Sequence, residues 1–324
     1  MDAKRQNRFQ ILALDGGGIK GIFSAAILAF LEEDLGINIT DCFDLITGTS
    51  TGGIIALGLG MGMRPKDIVD FYVSKGPEIF KYNCLSGFRR LIKNKYSPKP
   101  LEHALKECFK NKKLGESIKR LVIPSYNIGE DSVYIFKTPH HERLRRDYKV
   151  PMWKIARATS AAPTYFPIFC EIDHVRLIDG GVWANNPSMV GIVEAVSMLK
   201  IPLNDIYIFN IGTTDNVKSY AKSFDNGGCA KWCKAAPDLI MRGQSIGAYT
   251  QCQHLIGKDH IERLDPKVPD GLFQLDKLSS ESLLGKAAHE SRYFSSKFEQ
   301  KFGRHFAPEY KPIYRCSNGE NNNE

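Results

Sequence analysis

The chain has 324 residues, 43% of them hydrophobic and 25% charged, so it can bury a substantial core and falls outside the disordered and low-complexity classes. The net charge is +8, and residues 85–150 hold 16 Lys/Arg against 7 Asp/Glu, more than the whole excess. No run approaches the ~20 consecutive apolar residues of a membrane span, and the first apolar run, from Phe9, turns polar at Asp15, too soon for a signal-peptide core.

In chain order, Phe9–Leu14 is predicted as a short buried strand, Gly21–Leu35 as a helix, Cys42–Thr47 as a second strand and Gly52–Gly62 as an apolar helix. Pro65 suits the first turn of another helix, running to about Lys75. Leu101–Phe109 reads as a helix, Leu121–Tyr126 and Val133–Lys137 as strands, and His140–Tyr148 as a charged loop. A helix near Trp153–Thr159, a strand at Val175–Ile178, a helix from Pro187 to about Lys200 and a strand at Ile206–Ile211 follow. Helical patterns at Asp238–Gln253 and Ser280–Phe302 close the series. Strands alternating with helices of this length predict an α/β architecture with a largely parallel sheet. With no internal repeat and no linker, residues 1–316 are expected to form one domain, and the Asn- and Glu-rich residues 317–324 a disordered tail. The cysteines lack a paired framework; Cys229 and Cys233 do not form a CxxC and His254 is isolated from them, so reduced thiols and no metal are expected.

Three glycine-rich motifs carry chemistry. Asp15-Gly16-Gly17-Gly18-Ile19-Lys20-Gly21 follows a strand and opens a helix. Consecutive glycines turn the backbone sharply and present N–H groups to an anion, helped by the positive end of the helix. Gly16, Gly18 and Gly21 also fit the dinucleotide fingerprint, so this loop alone decides little. Gly48-Thr49-Ser50-Thr51-Gly52 lies between a buried strand and an apolar helix, the setting of a nucleophile elbow that lifts a serine hydroxyl above a sheet. There the Thr51 N–H lies near the helix start and can help hold an oxyanion. Asp179-Gly180-Gly181 ends a strand, where α/β proteins place their sites.

Together these motifs resemble the patatin-like phospholipase family. The resemblance extends through Ser160-Ala161-Ala162-Pro163 and Asn185-Asn186-Pro187 and covers residues 9–215. It implies a three-layer α/β/α fold and a dyad without histidine, Ser50 as nucleophile and Asp179 as proton acceptor, with Gly16, Gly17 and Gly18 forming the oxyanion hole and no cofactor. Lys20 stands where the family more often has Arg, which keeps the charge but loses the planar fork. The implied substrates are phospholipid acyl esters, reached by a cytoplasmic protein touching the inner face of the membrane. The wording of LDGGGIKGIFSAAIL and FDLITGTSTGGIIALGLG is similar to bacterial patatin-like effectors of anti-phage systems, which implies a cyclic di- or trinucleotide activator and does not decide between monomer and oligomer. The basic 85–150 segment reads first as solvated surface and second as a site for an anionic partner, lipid headgroup or phosphate ligand; nothing points to a nucleic-acid duplex.

Three other readings compete. A dinucleotide-binding enzyme needs an acidic residue at the end of the second strand, where Gly48-Thr49-Ser50 stands instead. A Ser–His–Asp hydrolase needs His254 or His260 as the third member, and neither sits in a glycine-punctuated turn. A non-catalytic lipid-binding protein needs neither Ser50 nor Asp179.

Overall fold

The computed structural model describes residues 8–81, 94–217, 222–269 and 280–316. The expected tail at 317–324 and part of the basic segment, 82–93, lie outside the described residues. In the first half, β1 (Phe9–Leu14), α1 (Gly21–Leu35), β2 (Leu45–Gly48), α2 (Thr51–Gly60), α3 (Pro65–Ile79) and α4 (Pro98–Phe109) lead to β3 (Arg120–Asn127) and β4 (Ser132–Lys137). Then come α5 (Met152–Thr159), β5 (Leu177–Asp179), the short α6 (Gly181–Ala184), α7 (Ser188–Ser197), β6 (Ile206–Ile211), β7 (Asp215–Val217), α8 (Cys229–Ile256), β8 (Ile261–Leu264), β9 (Lys267–Pro269) and α9 (Ser280–Phe298).

The central sheet has seven strands in the order β4-β3-β2-β1-β6-β8, with β5 paired to β3 off that path. From β3 to β8 the neighbours are parallel; β4 and β5 each run antiparallel to β3. β7 and β9 form a separate parallel pair. Along β1, Leu12 and Leu14 join one apolar cluster while Phe9, Ile11 and Ala13 join the other, the alternation of a strand covered on both faces. The first cluster takes in α1, α2, α4, α5 and α9 through Phe23, Ile55, Leu105, Ile155 and Phe298; the second takes in α7 and α8 through Val190, Ile192, Cys252 and Ile256. Helices therefore cover both sides of a mostly parallel sheet, the α/β/α arrangement. Each fully buried leucine or isoleucine contributes roughly 1.5–3 kcal/mol.

Some boundaries differ from the sequence reading. The second strand starts at Leu45, not Cys42, because a 3₁₀ turn over Ile39–Cys42 precedes it, with Asp44 Oδ2 accepting the Gln10 N–H at 2.8 Å and the Cys42 carbonyl accepting Gln10 Nε2 at 2.6 Å. Two helices are longer than the sequence reading: α3 runs past Lys75 to Ile79 and contains Pro77, and α8 begins at Cys229, ahead of Asp238, and contains Pro237. β5 is antiparallel to β3 and reaches Asp179, one residue past the predicted end.

Candidate active site

The parallel register brings Leu14, Gly48, Ile211 and Leu264 level at one edge of the sheet. The glycine loop leaves that edge after β1 and the serine turn leaves it after β2. Ser50 takes φ 55° and ψ −120°, a backbone conformation costing on the order of 1–3 kcal/mol for a side chain other than glycine. The surroundings hold it there. The Ser50 N–H donates to Thr159 Oγ1 at 3.0 Å, Thr159 Oγ1 donates to the Pro124 carbonyl at 2.6 Å, and the Thr49 N–H donates to the Leu14 carbonyl at 3.1 Å. Gly48 and Gly52 are required by close approach: a Cβ on Gly48 would overlap the Gly52 carbonyl, and one on Gly52 the Leu14 carbonyl.

Asp179 arrives from a different direction. β2 pairs with β3 as far as Thr47↔Val122, and β5 takes up the pairing farther along, at Ser125↔Asp179. The last residue of β5 is thereby set beside the turn that leaves β2. Ser50 Oγ donates to Asp179 Oδ2 at 2.6 Å, and Asp179 Oδ1 accepts the Gly181 N–H at 2.7 Å. Asp179 is 5% exposed. Burial pushes its pKa up to about 6, against the opposite pull of the Ser50 hydroxyl and the Gly181 N–H. Gly180 lies against the Pro124 carbonyl, and Gly21 begins α1 against the Thr51 side chain.

The glycine loop departs from expectation at one residue. The single N–H of Gly16 donates to the Asn185 carbonyl at 3.0 Å, which removes it from the expected anion-binding set. Among the described residues, the N–H groups of Gly17, Gly18 and Thr51 make no hydrogen bond. Gly18 has φ 58°, the left-handed conformation suited to glycine. Lys20 is buried and its Nζ donates to the Thr214 carbonyl at 3.0 Å, tying the loop to the segment after β6.

The footing of this loop carries no local motif. Asp15 pairs with Arg263 at 2.8 Å and accepts Asn210 Nδ2 at 2.8 Å; Arg263 also holds Asp265 at 2.6 Å. Burial raises the Asp15 pKa to about 6 while Arg263 draws it down. On the other side, Asn185 Nδ2 donates to Ser245 Oγ at 3.0 Å and the Asn186 N–H to Gln244 Oε1 at 2.9 Å, so α8 braces the chain that follows Asp179. Arg263, Asn210, Gln244 and Ser245 are far along the sequence, and only their contacts mark them.

Neither histidine of the triad alternative reaches the pair. His254 is exposed near the C-terminal end of α8, and His260 stacks on Tyr207 at 4.1 Å with Nδ1 facing the Ile206 carbonyl at 3.2 Å. Ile206 opens β6, at the edge of the sheet opposite Ser50. Among the described residues, no helix is long and apolar enough to cross a membrane.

A family model for patatin-like phospholipases matches residues 12–191. The chain is 36% identical over 231 residues to a cGAMP-activated phospholipase of Escherichia coli, a match covering 67% of this chain and 65% of that protein, just under two thirds of its length. It is 33% identical over 271 residues to a cGAMP-activated phospholipase of Pseudomonas aeruginosa, covering 81% of this chain and 80% of that one. The crystal structure of VipD from Legionella pneumophila aligns with TM-score 0.50 and 12% identity over 91% of this chain and 67% of that one, a likeness of fold.

Proposed function

The chain belongs to the patatin-like phospholipase family, and from that premise we propose that it is a serine hydrolase cleaving the acyl esters of membrane phospholipids through a Ser50–Asp179 dyad. The observation that carries the reading is the 2.6 Å hydrogen bond from Ser50 Oγ to a buried carboxylate whose other oxygen is already fixed by a backbone N–H. Asp179 takes the proton as Ser50 Oγ attacks the ester carbonyl carbon, and the electron pair moves to the carbonyl oxygen. That oxyanion meets the N–H groups of Gly17, Gly18 and Thr51, where one such donor is worth about 3–4 kcal/mol. Collapse expels the lysophospholipid alkoxide, which recovers the proton from Asp179 and leaves an acyl ester on Ser50. Water, deprotonated by Asp179, then releases the fatty acid. A pKa near 6 leaves the carboxylate ionised at neutral pH yet more basic than an ordinary aspartate, as a general base requires.

Two relatives are named for activation by cGAMP, so the reading extends to control: a cyclic di- or trinucleotide switches this lipase on. An enzyme so controlled, working in the cytoplasm against the inner face of the membrane, would degrade its host's own phospholipid, the role of an anti-phage effector. Residues 1–316 act in this reading as one domain, a view supported by the pairing of Asp15 with Arg263 across the chain.

The test is hydrolysis of phospholipid vesicles by wild type, Ser50→Ala and Asp179→Ala, each with and without cyclic GMP–AMP. Hydrolysis and fluorophosphonate labelling by wild type, both lost in Ser50→Ala, are expected. Lipid release that persists in Ser50→Ala would sink the dyad, and no release from wild type under either condition would favour a lipid-binding protein.

A further inference from the structure

Away from the dyad, a surface cavity of about 400 Å³ is lined by Arg145, Arg146, Lys149, Lys154, Glu171 and Asp173. Its volume lies within the range of small-molecule sites. Four cations and two carboxylates line it, a surplus of two positive charges among the lining side chains; Arg146 pairs with Asp147 at 3.6 Å and Lys154 with Glu171 at 4.0 Å, which leaves Arg145 and Lys149 for an anion. A cyclic dinucleotide, with its two phosphodiesters, carries two negative charges.

Three of the cations, Arg145, Arg146 and Lys149, are exposed, and each has an aromatic ring within 6 Å. The Arg145 guanidinium lies 5.7 Å from the Tyr314 ring centre, the Arg146 guanidinium 5.3 Å from Tyr134, and Lys149 Nζ 5.6 Å from Tyr148. Tyr148 and Tyr314 stack at 5.8 Å. Lys154 Nζ donates to the Glu171 carbonyl at 2.8 Å, joining the two walls. Guanidinium groups held over rings suit phosphate oxygens at their edges and nucleobases on their faces.

The walls also lead to the reacting groups. Lys154 belongs to α5, whose last residue, Thr159, holds the Ser50 N–H. The opposite wall, at Glu171 and Asp173, runs on into β5 and ends at Asp179. Between them Asp173 and His174 both take left-handed conformations, φ 45° and 60°, a strained connection. A ligand bridging the walls would grip the far ends of the two segments that position the dyad.

We propose that this cavity is the regulatory site and that it binds the phosphodiesters of a cyclic dinucleotide. The inference rests on the proposed nucleotide activation. It is tested by calorimetric titration of the full chain with cyclic GMP–AMP, as wild type and as the double variants Arg145→Ala/Arg146→Ala and Lys149→Ala/Lys154→Ala. Hydrolysis and binding of phosphatidylglycerol vesicles are measured in parallel. The expected result is affinity weakened by on the order of tenfold for each charge-assisted hydrogen bond that a variant removes, with stimulation abolished, and nucleotide-free hydrolysis unchanged in Arg145→Ala/Arg146→Ala. Equal affinity in wild type and both variants would overturn the site while leaving nucleotide activation standing. No binding by wild type would overturn activation by cyclic GMP–AMP, and the cavity as its site with it. Retained nucleotide affinity with abolished vesicle binding would make the cavity a lipid-headgroup site and so overturn the proposal. Should a double variant fail to melt cooperatively, Lys149→Glu, at an exposed residue, is read by the same titration.

Discussion

Replacing Asp179 by asparagine separates what the chemistry needs from what the fold needs. Burial moves this carboxyl from the ordinary 3.8 to about 6. Folding therefore favours the protonated form: the stabilisation is fully present below 3.8 and is lost as pH rises through about 6. At about 1.4 kcal/mol per pH unit, the ionised carboxylate costs the folded state about 3 kcal/mol at neutral pH and above. Asparagine has the same shape and no charge; its Oδ1 can accept the Gly181 N–H and its Nδ2 can donate to Ser50 Oγ, replacing both hydrogen bonds of the native carboxylate. The Asp179→Asn variant is thus expected to be more stable than wild type by about 3 kcal/mol at about pH 8, with the gap shrinking towards about pH 4. Hydrolysis should fall by on the order of 10²–10⁴, the usual contribution of a general base, and wild-type kcat/KM should rise with pH through about 6. Urea denaturation of both proteins at the two pH values measures the gap, and other titrating groups largely cancel in the difference. An asparagine variant less stable than wild type at the higher pH, or a gap that ignores acidification, would refute the reasoning.

Thr159→Val keeps the side-chain shape but strands the Pro124 carbonyl and the Ser50 N–H. At a cost of about 1–3 kcal/mol per buried unpaired group, both the denaturation midpoint and kcat should drop with KM little changed; unchanged values would deny Thr159 its role in holding the turn. Arg263→Met leaves Asp15 and Asp265 buried without their cation, a loss of about 3–5 kcal/mol. Thermal melts should report this, with partial recovery on adding Asp15→Asn, and an unshifted melt would mean that the pair contributes nothing to stability.

The elements read most closely from sequence are those whose signal is local. Phe9–Leu14, Gly21–Leu35 and Ile206–Ile211 coincide with their observed bounds because each is a continuous apolar or helical pattern ending in glycine or a polar residue. β8 was not legible: its sequence, Ile-Glu-Arg-Leu, alternates with charges that find partners only in the folded chain, Glu262 with Lys297 and Lys301, Arg263 with Asp15. The predicted helices to Lys75 and from Asp238 stop short of the observed α3 and α8, both of which contain a proline, Pro77 and Pro237, a residue that usually marks an end. At the site, Ser50 and Asp179 stand in glycine motifs that announce a turn, whereas Thr159 acts through one hydroxyl on a backbone group distant in sequence. The Gly16 amide shows the limit from the other side. Its motif marks a loop that can offer N–H groups, but which of them is already bonded depends on Asn185.

The pairing of Asp15 with Arg263, and of Asn185 and Asn186 with Ser245 and Gln244, bears on the order in which the site comes into being. Synthesis delivers the glycine loop, Ser50 and Asp179 long before the residues that brace them. A growing chain can hold Ser50 and Asp179 while its glycine loop still has no footing. The arriving C-terminal third is therefore what completes the footing of the site, a delay built into translation.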